Sequence, residues 1–202
     1  MTGLAVGLLF GAAPLAPWHP GVFRGVVTGE SRLDVARRAF GAPINEALDE
    51  HEEGLRRVTF RPIAVDVPAV DGGTASVLQV GVQVLVDTRT RRIVRIRLTP
   101  WPESRASGPA LLVTPVDRRV MKQIVDVPFT ERRLDYCEDG PLWPGGGSHG
   151  DPEPEFVLLA PEHGVTVWLH DRKYLEDIEI SATAPRWLTL NPCPMEDVGH
   201  EL

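Results

Sequence analysis

GVQVLVDTRTRRIVRIRL, Gly81 to Leu98, is the stretch on which the fold turns. Val80, Val82, Val84 and Val86 alternate with other residues at a period of two, the pattern of a strand with one buried face. Asp87 to Arg91 supplies a turn, and Ile93, Ile96 and Leu98 follow it. The segment therefore reads as an antiparallel hairpin.

A second stretch, GVTVWLHDRKYLEDIEIS from Gly164 to Ser181, matches the first with one residue removed in the turn. Gly81 falls with Gly164, Val82 with Val165, Val84 with Val167 and Val86 with Leu169. Ile93, Ile96 and Leu98 fall with Leu175, Ile178 and Ile180. Helices pair upstream as well, Ala36 with Met121, Ala39 with Ile124 and Pro43 with Pro128. The expectation is an α+β protein of mainly antiparallel sheet with two short helices, in two similar helix-plus-strands halves. The halves are residues 1–100 and 110–183, with a C-terminal tail over 184–202. Any two amphipathic hairpins look alike, however, and one continuous domain is the open alternative.

Outward from the hairpins, the first helix follows Ser31 as candidate cap, with Asp34 in its first turn and Leu33, Ala36, Ala39 and Phe40 on one face. Gly41 and Pro43 end it. Val116, Val120, Met121, Ile124 and Val125 give the second helix, which stops before Pro128. Strands are expected around Val58 to Phe60, Phe156 to Leu159, Val165 to Leu169 and Leu175 to Ile180. Pro100 to Pro109 reads as a linker and Glu138 to Glu155 as a long partner-facing loop. Gly3 to Ala16 has the length of a signal-peptide apolar region but no basic residue before it, so Leu4 to Phe10 reads as a buried first strand.

With 202 residues, 43% of them hydrophobic and 24% charged, the chain has the composition of an ordinary packed domain. Its net charge of -7 repels nucleic acid and anionic membrane surfaces, so neither is expected as a partner. A basic protein is the easier match. Cys137 and Cys193 read as free thiols of a reducing cytoplasm, with a single disulfide between them left open.

No catalytic signature emerges. Cys137, His149, His163, His170 and Cys193 lack metal-ligand spacing, and no metal or other cofactor is expected. The glycines of Pro144 to Gly150 lack the lysine that ends a phosphate-binding loop. Ser148, His149 and Asp151 are too close in sequence to suggest a triad. Candidate contacts with a partner are instead the acidic cluster Glu46, Asp49, Glu50, Glu52 and Glu53, which reads as a helical or irregular surface segment. To these are added Glu138, Asp139, Trp143, Asp151 and Glu153 of the long loop.

Gly25 to Pro43 (GVVTGESRLDVARRAFGAP), followed by strands ending in GVQVLVDTRTRRIVRI, resembles a bacterial pattern. It is similar to outer-membrane-assembly lipoprotein modules of the BamE/SmpA kind and to immunity proteins that neutralise polymorphic toxins. No lipobox cysteine stands near the N-terminus. Resemblance to immunity proteins implies a small acidic cytoplasmic protein that binds a basic toxin domain and has no chemistry of its own. Two other expectations stand beside it: an enzyme with a cleft between the halves, holding His163 or His170 beside carboxylates, and an assembly subunit that uses an exposed strand edge.

Overall fold

The structure is a computed structural model that describes residues 16–67, 76–101, 116–134, 155–170, 172–185, 188 and 196–201. It is an α+β fold dominated by one antiparallel sheet. A small hairpin, β1 (Val22–Phe23) and β2 (Val26–Val27), precedes helix α1 (Leu33–Phe40). Four strands follow: β3 (Pro43–Leu48), β4 (Leu55–Val67), β5 (Ser76–Asp87) and β6 (Ile93–Trp101). After the short β7 (Val116–Asp117) and a 3-10 turn comes α2 (Met121–Ile124). Four more strands complete the pattern: β8 (Thr130–Leu134), β9 (Glu155–Ala160), β10 (Val165–His170) and β11 (Tyr174–Ser181). A last strand, β12, spans Glu196–Glu201.

Across the sheet the order is β12-β8-β9-β10-β11-β6-β5-β4-β3, with β7 also paired to β11. Two meanders, each entered by a helix, thus meet at their final strands. In that seam Ile178 pairs with Leu98 and Ile180 with Ile96. Exchanging the sequence-matched residues, Ile96 for Ile178 and Leu98 for Ile180, turns each pair into the other. The register is therefore symmetric about the Arg97 and Glu179 pair. The sheet runs without interruption across this seam.

Symmetry does not extend to the rest. Helix α2 is one turn long against the eight residues of α1, and the expected helix from Val116 begins instead as strand and 3-10 turn, because Val116 and Asp117 pair with Leu175 and Tyr174. Both helices pack on β4. The matched glycines also differ. Gly164 has φ +63 in the turn after β9, and a Cβ there would lie 2.4 Å from the Gly21 nitrogen. Gly81 lies inside β5 with only ordinary contact to Thr99.

The core explains why the hairpins were legible. Val80, Val82, Val84, Val86, Ile93, Ile96 and Leu98 are all buried, as are Val165, Val167, Leu169, Ile178 and Ile180. Alternation places them on one face of the sheet, each contributing about 1.5–3 kcal/mol by leaving water. Helix α1 covers that face with Ala36 and Phe40. The Phe40 ring meets Phe60 edge-on at 5.5 Å and Phe23 in a stack at 6.0 Å.

Two local expectations are corrected. Ser31 does not cap α1, since its hydroxyl accepts the N–H of Val27 at 2.9 Å and the N-cap residue is Arg32. The acidic segment, expected as helical or irregular, is irregular only at Asp49 to Gly54, which form a bend, whereas Glu46 lies in β3, where β4 offers a pairing edge. Leu4 to Phe10, Cys137, Cys193 and most of the proposed linker and long loop lie outside the described residues. Among the described residues no helix is long and apolar enough to cross a membrane.

Candidate functional site

On the face of the sheet opposite the helices, the alternation brings polar side chains to the seam. Register aligns Thr59 of β4, Gln83 of β5, Arg97 of β6, Glu179 of β11 and Thr166 of β10 in one row. A neighbouring row holds Arg57, Leu85, Arg95 and Ser181, and on the other side Thr99 and Asp177 stand level with Trp168. Toward β9 this face is closed, with Thr166, Val157 and Leu159 buried. From β4 to β11 it forms a pocket, walled at one side by the bend at Asp49, His51 and Glu52.

Ion pairs organise the pocket. The Arg97 guanidinium grips Asp177, with its Nε donating to Oδ2 at 2.9 Å, while the Thr99 hydroxyl donates to Oδ1 at 2.7 Å. Arg95 is forked between two carboxylates, Glu52 from the bend and Glu179 from β11, the latter at 3.1 Å. Asp49 accepts the N–H groups of His51 and Glu52 at 2.9 and 3.0 Å and faces Arg57 at 3.9 Å. The bend is thereby tied to the sheet rather than left to move freely.

Glu179 is the electrostatic centre of this lattice. Burial pushes its carboxyl above the ordinary carboxylate range, and Glu52 and Asp177 push in the same direction; Arg95 and Arg97 pull back only part of the rise. For Arg95 burial disfavours the charge, but the carboxylates of Glu179, Glu52 and Asp49 more than restore it, so its pKa is raised. The outcome is a charged surface whose ion pairs are made within the chain and which is rich in hydrogen-bonding groups.

The acidic candidates divide. Glu52 and Asp49 line the pocket, and Glu46 is on β3, bound to Arg37 at 2.7 Å and facing Arg56 at 3.8 Å. Glu50 and Glu53 are exposed on the bend. Glu138, Asp139, Trp143, Asp151 and Glu153 lie outside the described residues. His163 is an exposed turn residue on the Pro161 to Gly164 corner and does not line the seam pocket. Among the described residues no three His, Cys, Asp or Glu side chains are arranged to hold a metal ion.

Arg95, Arg97, Asp177 and Glu179 do not figure among the residues singled out from the sequence. A signal for them was present. Aligning the two hairpins sets Arg95 against Asp177 and Arg97 against Glu179, two charge reversals at matched positions. Two strands that carry opposite charges at matched positions are complementary when they pair with each other.

No protein-family model, curated protein or solved structure matches this chain.

Proposed function

We propose that the protein is a non-catalytic binding protein that receives a partner protein on the polar face of its sheet, most simply as an immunity protein that neutralises a cognate bacterial toxin domain in the cytoplasm. The observation that carries this reading is the lattice around Glu179. Its arginines and carboxylates are held in place across four elements before any partner arrives, so binding does not have to order them. Glu50 and Glu53 stand exposed on the adjoining bend, where they would meet basic side chains at the rim and steer approach. With a net charge of -7, the whole chain favours a basic partner.

A tagged chain used as bait in a bacterial extract, with bound proteins identified by mass spectrometry at moderate salt, tests the reading. A stoichiometric basic protein is expected. Its retention should fall with Arg97→Glu in the pocket and, with a steeper salt dependence, with Glu50→Lys combined with Glu53→Lys. No bound protein, or one retained equally by all variants, would reject the assigned face.

A further inference from the structure

Strand β3 ends the sheet on the side of the first meander, while β8, which closes the second meander, is covered by β12. From Ile44 to Leu48 every residue of β3 is exposed. Among the described residues only three large hydrophobic side chains are exposed, and two of them, Ile44 at 58% and Leu48 at 70%, are on this strand. Sheet edges are ordinarily protected by charge, proline, bulges or covering segments. Here Pro43 is at the first position, a bulge lies between Pro43 and Asn45, and the single charge, Glu46, is neutralised by Arg37 and Arg56. Among the described residues, no strand pairs with the outer edge of the residues that follow.

We infer that β3 pairs with β3 of a second copy of this chain, antiparallel about a twofold axis at Glu46, extending the sheet across two molecules. The strand is self-complementary about that point. Ile44 and Leu48 stand two residues to either side of Glu46, so each Ile44 comes level with the Leu48 of the other copy, and Asn45 with Ala47. Two like charges opposite each other would normally oppose this register. Each Glu46, however, brings its own Arg37 and Arg56, so two carboxylates sit among four guanidinium groups. A covering surface of one short strand is small, so the dimer dissociates on dilution. The pairing surface is on the outer edge and leaves the polar face around Glu179 open.

Sedimentation equilibrium of the full chain over a wide concentration range tests the pairing, with Ile44→Lys combined with Leu48→Lys as the disrupting variant. Both positions are exposed, and circular dichroism melting checks that the variant remains folded. The expected result is a concentration-dependent dimer for the parent chain and a monomer for the variant. A parent chain that stays monomeric at its solubility limit, or a folded variant that still dimerises, overturns the inference. The register is read separately with Glu46→Cys in a chain carrying Cys137→Ser and Cys193→Ser. Cross-linking to itself under mild oxidation is expected, since opposed residues of antiparallel strands lie within disulfide reach; a dimer that fails to cross-link overturns the Glu46-centred pairing.

Discussion

Arg97 lies directly opposite Glu179 where the two central strands pair, yet its guanidinium bonds Asp177, on the same strand and two residues before Glu179. Arg95 in turn leaves its opposite residue, Ser181, and reaches Glu179. Both arginines therefore engage carboxylates diagonally across the seam. The two bonds constrain the sliding of β6 along β11, because a shift of the strands would break both at once.

Removing that tie should weaken the seam modestly. The Arg97 side chain is 42% exposed and that of Asp177 15%, so water screens the pair. A double-mutant cycle with Arg97→Ala and Asp177→Ala should give a coupling of about 0.5–1 kcal/mol that shrinks in high salt. Urea unfolding of the four proteins at two salt concentrations measures it.

The buried ion cluster behind β8 should be less forgiving. The Glu131 carboxylate is fully enclosed, ion-paired with Arg172 and receiving a hydrogen bond from Arg118 Nη1 at 3.0 Å. Glu131→Ala leaves two guanidinium groups, 21% and 40% exposed, without their shared anion and should cost about 1–3 kcal/mol, a loss that thermal melting reads as a lowered midpoint.

Two glycines matched in sequence should respond in opposite ways. At Gly164 a Cβ would come within 2.7 Å of backbone atoms of Gly21, His19 and Ser181, at φ +63. Gly164→Ala should therefore destabilise by about 2 kcal/mol or more. Gly81→Ala meets nothing closer than 3.5 Å and should be neutral or stabilise by up to about 1 kcal/mol, since glycine is a poor strand residue. Chemical denaturation of both variants decides the contrast.

Acid should act on Glu179 and Asp87 with opposite signs. Because the folded state raises the Glu179 pKa, it binds that proton more tightly than the unfolded chain. Stability from this residue is present at low pH and lost as pH rises through the folded pKa, so Glu179→Gln should gain on the parent in that direction. Asp87 is lowered, first by the N–H of Thr90 at 2.6 Å and then by its hydroxyl. Its contribution is present above the unfolded pKa and lost as pH falls through the folded one, so Asp87→Asn should lose its disadvantage in acid. Denaturation midpoints followed from acid to neutral pH measure both trends.

The parts of the fold legible beforehand were those governed by local period. Val82, Val84 and Val86 against Gln83, and Val165 and Val167 against Thr166, state which side is buried without reference to any neighbour. Strand β3 was hidden because PINEAL has no alternation to show: its conformation is imposed by the backbone of β4. Strand β12, EDVGHE, is equally polar in sequence and is specified by pairing with β8. The acidic bend was found as a cluster of residue types, but its division into pocket-lining Asp49 and Glu52 and exposed Glu50 depends on where Arg57 and Arg95 arrive from distant strands. The charge lattice itself is a product of the seam and exists only once residues about eighty apart in sequence are neighbours.

That seam has a consequence for synthesis. The first meander can form as soon as Trp101 has left the ribosome, but the strand that borders β6, Tyr174 to Ser181, is made much later. Until then β6 is an open edge whose Ile96 and Leu98 await Ile180 and Ile178, the kind of unpaired apolar strand that attracts other nascent chains. The pace of translation through the second meander therefore sets how long each new chain is exposed to aggregation. Faster elongation through the second meander shortens that interval, and slower initiation lowers the number of chains exposed at one time, so either should raise the soluble yield of the protein.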